Sequence, residues 1–206
     1  MRIRKLGLIP IIAASLSISQ NSEAAVQIDY ALGGGSFFTK SGNTFFSAGD
    51  AFVFYGSFET GDIPTGSSTS QSIEDDFIQL GLPLNDPYSG GAFSSSDNET
   101  QLASKQGYMI VTNNADIGSS TQISIITNST NPDWQFAADL SGAIPPASPT
   151  VSSDGAFSTG GQIVLGTAGT SGGFDTIQFA AIAVPEPSGT ALLAIGSAFL
   201  LLRRKK

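Results

Sequence analysis

Nowhere between residues 25 and 184 does a helical apolar period persist. Short runs rich in β-branched and aromatic residues alternate there with clusters of Gly, Ser, Asn, Asp and Pro, the punctuation of strands and turns. That pattern constrains the middle of the chain to an all-β fold, expected as an antiparallel β-sandwich of jelly-roll-like type. The expected strands run from 26 to 32, 51 to 58, 77 to 80, 107 to 112, 122 to 127, 134 to 137, 162 to 166 and 174 to 184. Phe52, Phe54 and Phe58 fall at even spacing around Val53 and Tyr55, so their strand should be apolar on both faces. Ile177 and Phe179 instead alternate with Thr176 and Gln178, as in a half-exposed strand. Ser72 to Asp75 offers one helical turn, which Gly81 and Pro83 prevent from growing. Long loops are expected at 61–71 and at 139–155, where Pro145, Pro146 and Pro149 fall. No repeat supports a propeller or solenoid. Gly33-Gly34-Gly35 lacks the Gly-Lys-Ser/Thr ending of a phosphate cradle and reads as a turn.

The two ends differ from this middle. Arg2, Arg4 and Lys5 precede an apolar stretch from Leu6 to Ser19, and Ser22-Glu23-Ala24 places small residues where a signal peptidase cuts. Residues 1–24 are therefore expected to be a signal peptide with a helical apolar segment, leaving an ectodomain over 25–183. At the other end, 184–206, Pro185 and Pro187 fix φ and press their predecessors into extended conformations around Glu186. A stiff, open peptide results, accessible to a processing enzyme. An uncharged segment follows: Ser188, Gly189, Thr190, Ala191, Leu192, Leu193, Ala194, Ile195, Gly196, Ser197, Ala198, Phe199, Leu200, Leu201 and Leu202. Its length as a helix, roughly 22 Å, is short against a bilayer core of roughly 30 Å. A buried core helix is the alternative, but Arg203, Arg204, Lys205 and Lys206 close the chain and would have to emerge from that core. As a cytoplasmic anchor under the positive-inside rule they fit a short membrane helix, with the body outside.

Val184-Pro185-Glu186-Pro187, the short apolar helix and the basic end together resemble the C-terminal sorting signal of the PEP-CTERM family of bacterial exported proteins. The resemblance covers about a tenth of the chain. It implies that Pro185, Glu186 and Pro187 are read by an exosortase, a membrane-embedded cysteine transpeptidase-like enzyme. It also makes 188–202 the membrane helix and 203–206 the retention signal. Proteins of this kind are commonly linked to exopolysaccharide production. The implied route is export, anchoring at the inner membrane, then transfer to the cell surface or medium. No Leu-Pro-x-Thr-Gly sortase box is present, and a GPI signal would not close on four cations.

Charge narrows the partners of the body. Of nine Lys and Arg, three lie at 2–5 and four at 203–206. Lys40 and Lys105 remain against fifteen of the seventeen carboxylates, Glu23 and Glu186 being the others, so the body carries −13. Such a surface repels nucleic acid and anionic lipid. The chain has no Cys and no His. Disulfides, structural zinc, haem ligation and most nucleophile–base pairs go with them. No cofactor and no metal is expected.

Carboxylates, hydroxyls and aromatic rings are what is left for chemistry. Glu74-Asp75-Asp76 could serve a glycoside-cleaving site or calcium, and reads as a solvated turn. Residues 113–118, Asn-Asn-Ala-Asp-Ile-Gly, echo a calcium loop without its spacing or closing Glu and read as the turn between two strands. Asp97-Asn98-Glu99 reads the same way. The sequons at Asn98 and Asn128 are read as chance in an Asn/Ser/Thr-rich chain. Trp134, the only Trp, is a possible ligand contact that could stack against a sugar, or else a core residue. Three functions stay in play: a non-enzymatic surface or matrix protein, first in order; a carbohydrate-binding module using Trp134, Tyr55 or Tyr108; and, last, a carboxylate-based glycoside hydrolase.

Overall fold

Val53 and Tyr55 leave their strand on one side and Phe54 on the other, yet all three are buried. The computed structural model describes residues 26–31, 36–40, 44–47, 49–59, 63–88, 90–95, 100–138, 140 and 150–184. The expected signal peptide, the Gly33–Gly35 turn, Asp97–Glu99 and the tail from Pro185 onward lie outside them. The described residues are mostly β-sheet. In chain order they give β1 (Val26–Ala31), β2 (Ser36–Lys40), β3 (Thr44–Phe45), β4 (Phe52–Phe58), the helix α1 (Ser70–Asp76), β5 (Phe77–Gln79) and β6 (Gly91–Ser95). Then come β7 (Tyr108–Thr112), β8 (Gln122–Asn128), β9 (Thr150–Ser152), β10 (Gly161–Leu165), β11 (Thr167–Ser171), β12 (Phe174–Gln178) and β13 (Ala180–Ala181).

These strands make three sheets. The largest has the order β10-β8-β7-β4-β5, with β13 added on β8; the others are β11-β12-β2-β3 and β6-β1-β9. The large sheet explains the two-sided burial of β4. One face joins Val53, Tyr55, Met109, Val111 and Ile126 to Ile28 and Phe93 of the three-stranded sheet and Phe38 and Ile177 of the four-stranded sheet. The other face sets Phe54, Ile110, Ile123 and Ile125 against Ile73 of α1, Phe77 and Ile117. A strand buried on both faces needs apolar residues at consecutive positions, which is what 52–55 supply.

Several expectations need correction. The pairing is not purely antiparallel: β1–β9 and β12–β2 are parallel. Both join strands far apart in the chain, so no hairpin sets their direction. The strand expected over 134–137 is instead a 3₁₀ turn, Pro132–Trp134, whose cap Asn131 accepts from the Asp133 amide at 2.9 Å. Pro at the first helical position already holds the φ that turn requires, which overrides the aromatic run behind it. The helix starts earlier and lasts longer than one turn. Thr69 caps it and Ser72 returns the bond, a capping box with Ser where Glu is usual. The strand expected over 174–184 splits at Phe179, whose amide donates to Thr39 O before the chain changes sheets.

Five strands, β2, β3, β6, β9 and β11, stand where none is expected. They are short and mostly Gly, Ser, Thr and Ala around a few aromatics, so pairing and not composition makes them strands. The β11–β12 hairpin closes on Gly172-Gly173 at φ +60° and +87°, a pair of left-handed positions that suits the twist of the two strands.

Trp134 is walled in by the backbone of the last 3₁₀ turn. A Cβ on Gly155 would stand 2.6 Å from Trp134 Cζ2. The ring is enclosed and cannot swing clear, so Gly155→Ala is expected to cost about 1–3 kcal/mol by overpacking. A lowered urea midpoint with unchanged denaturant slope would show it.

Candidate functional site

The body releases its C-terminal segment from a built strand and not from a loose end. Phe179 is buried, with its ring 4.6 Å from that of Phe46. Ala180 and Ala181 pair with Ile123 and Gln122, on the edge of β8 whose other half is taken by β10. The Ile182 amide donates to Thr121 O at 3.0 Å, and the Ser70 amide donates to Ala183 O at 3.2 Å. Ala183 bridges Thr69 in parallel, at the N-terminus of α1. Val184, one residue beyond Ala183, is the last described residue, and Pro185, Glu186 and Pro187 follow it directly in the chain.

Around this exit lie two acidic stretches that sequence reasoning weighs separately. The β7–β8 turn is closed by its own polar side chains. Asn113 Oδ1 accepts from the Thr121 and Gln122 amides at 3.1 and 3.0 Å, and Asn114 Oδ1 accepts from the Asp116 amide at 3.1 Å. The Gly118 amide and the Ser119 hydroxyl donate to Asp116 at 3.1 and 2.7 Å. The Ser70 hydroxyl donates to Gly118 O at 2.6 Å and ties the turn to α1. Gln71 Nε2 donates to Glu74 and to Asp75 at 3.1 and 2.9 Å. Glu74 and Asp116 face each other across this junction, where two like charges oppose each other's ionisation. The neighbouring Asp116 carboxyl, then burial, hold Glu74 above its ordinary range; the Ser119 hydroxyl, then Glu74, hold Asp116 below its own. Among the described residues no three carboxylates gather to hold a metal ion.

The signs of the two shifts oppose each other. The raised Glu74 contributes stability in acid, lost as pH rises through its elevated value. The lowered Asp116 contributes above its ordinary value and loses that as pH falls. Glu74→Gln removes the repulsion between the two carboxyls. It is expected to raise Tm slightly at neutral pH and to leave it unchanged in mild acid, as a series of thermal melts would show.

Trp134 does not offer a sugar platform. It is 0% exposed, with the Tyr55 ring 6.0 Å away, and Tyr55 and Tyr108 are buried as well. Burial, helped by Asp133, pushes the Tyr55 phenol far above its usual range. These aromatics belong to the core because the rings fill space between the sheets. Rings nearer to solvent lie elsewhere, with Phe45 and Phe174 exposed and Phe37 and Tyr88 half-buried. Phe37, Phe45, Phe174 and Tyr88 line a cavity of about 280 Å³ with Ser171 and Gly172. Phe37 lies 5.8 Å from Phe45 and 5.2 Å from Phe174. Tyr88 uses its hydroxyl to donate to Phe38 O at 2.7 Å and to accept from the Phe46 amide at 3.2 Å. Sequence reasoning missed this cluster. Its signal is the doublets Phe37-Phe38 and Phe45-Phe46, each with the second ring buried and the first turned outward.

The decisive comparison concerns the chain beyond this exit. Residues 183–205 match the family described as PEP-CTERM protein-sorting motif. This segment is a PEP-CTERM sorting motif. The match confirms the resemblance and is confined to the C-terminal segment. No curated protein matches the chain, and no solved structure does. A PEP-CTERM motif implies export, sorting toward the membrane and surface, and processing by an exosortase-like membrane enzyme. Its first residue, Ala183, is hydrogen-bonded into the body. Among the described residues no helix is long and apolar enough to cross a membrane. The expected membrane helix, 188–202, and the basic tail, 203–206, lie outside the described residues.

Proposed function

We propose that the protein is a non-enzymatic cargo of the cell surface or extracellular matrix, associated with exopolysaccharide and delivered by its two ends. Signal peptidase removes residues 1–24, and the acidic body of 25–183 folds outside the cytoplasm as a sandwich-like β-domain. Pro185, Glu186 and Pro187 are then the peptide that the exosortase reads. Residues 188–202 hold the chain in the inner membrane until processing, and Arg203 to Lys206 hold that helix from the cytoplasmic side. One observation carries this reading: the PEP-CTERM match at 183–205. The charge of the body agrees with it, since a −13 surface stays soluble outside the cell and among anionic polymers.

Mass spectrometry of the mature chain tests the proposal directly. A chain starting near Ala25 and ending within the PEP segment is expected. An intact chain from Met1 to Lys206 recovered from cytosol would overturn it. Carbohydrate binding through Trp134 is not retained, because the ring has no free face.

A further inference from the structure

We infer that the surface around the chain exit, formed by the start of α1 and the β7–β8 turn, is in contact with the processing enzyme while the tail is being cut. The inference rests on the sorting reading above and adds a contact that the tail alone does not require. The family match begins at residue 183, and Ala183 is still part of the fold, its carbonyl bonded to the Ser70 amide at 3.2 Å. No spacer separates the body from the motif. From Ala183 to Pro187 the backbone spans at most about 14 Å fully extended. Residues 188 onward are, on the sorting reading, already in the bilayer. An enzyme that grips Pro185 to Pro187 therefore sits in a gap narrower than a small protein domain, with the folded body as one wall.

The stem cannot lengthen to relieve this. Drawing 180–183 out would strip the β13 pairing from Ile123 and Gln122 and expose the partly buried Ile182. Phe179, 3% exposed, would be dragged from its place against Phe38 and Phe46.

The residues that form this wall are named by the hydrogen bonds at the exit. Ala183 meets Thr69 and Ser70, Ile182 meets Thr121, and Asn113 to Ser120 make the adjoining turn. Gln71, Asn114, Ala115, Ser119 and Thr121 are exposed there. Glu74, Asp75 and Asp116 make the wall acidic, and Lys40, which lines a pocket with Asn113 and Gln122, is engaged by Asp50 at 3.6 Å. Anionic lipid headgroups repel such a surface. A protein with basic residues near its active site suits it.

Site-specific photocrosslinking in the full-length chain tests the inference, in membranes carrying an epitope-tagged exosortase-like enzyme. The photoreactive residue replaces Ala115, an exposed turn position, or Thr159 as the control. Thr159 lies at the opposite end of β8, roughly 20 Å from Gln122 along the strand. A crosslink to the tagged enzyme several-fold stronger from position 115 than from 159 is expected. It should be lost when a Gly/Ser spacer of about 20 residues, reaching roughly 25 Å, is inserted between Val184 and Pro185. Equal or absent crosslinking from 115 in a chain that is still cut overturns the contact and leaves the sorting reading intact. Crosslinking from 115 to lipid alone does the same. A chain that the enzyme never cuts overturns the sorting reading, and the inference with it.

Discussion

A Pro185→Ala/Pro187→Ala double variant is expected to accumulate uncut in the membrane fraction, with little or none released. Each proline contributes twice. It locks its own φ and disfavours the α-region for the residue before it, here Val184 and Glu186. Alanine removes both restraints and favours helix, so the peptide that the enzyme is proposed to read would lose its stiffness. Export itself should not change, because residues 1–24 are intact and both substitutions lie beyond Ala183, whose carbonyl is bonded to the Ser70 amide. Immunoblots of membrane and medium would separate the two forms by the tail's mass. Release at the normal rate would show that the prolines are not what is read.

The largest stability loss is expected from Trp134→Ala. The ring is fully enclosed, with Tyr55 6.0 Å away and Gly155 against its edge. The Trp134 carbonyl also accepts from the Gly107 amide at 2.6 Å and from Gln106 Nε2 at 2.9 Å, which fixes the turn that carries the ring. Truncation leaves a cavity among residues already held by three sheets, so relaxation into it is limited. Such changes cost about 3–5 kcal/mol, a large share of the roughly 5–15 kcal/mol that holds a domain together. Trp134→Phe keeps a ring in the site and should lose much less. Urea unfolding of both variants would give the two numbers. A near-neutral Trp134→Ala would mean that the ring is not packed as described.

The aromatic residues show where sequence reasoning stops. Trp134, Tyr55 and Tyr108 attract attention as sugar platforms because they are large and amphipathic, yet all three are buried. Rings such as the exposed Phe45 and Phe174 and the half-buried Phe37 are phenylalanines that reasoning from composition assigns to a core. Which side of a strand faces water depends on the sheet packed against it, and nothing within five residues of Phe37 encodes that. The same holds for Glu74 and Asp116. They are 42 positions apart, and only the docking of α1 on the β7–β8 turn brings them near enough to shift each other's ionisation.

What the residues determined unaided is local. The proline-flanked Glu186, the uncharged run to Leu202 and the four closing cations are a contiguous pattern, readable because a sorting peptide is recognised as covalent sequence. Strands such as β4 and β8 are equally legible, since consecutive apolar β-branched and aromatic residues have few other ways to be buried. The tertiary structure decided the rest: the parallel pairings of β1 with β9 and β2 with β12, the five strands poor in apolar residues, and the anchoring of Ala183 beside α1. Each depends on contacts between distant segments, whose free energy comes from burying surfaces together and is therefore absent from any single stretch of the chain.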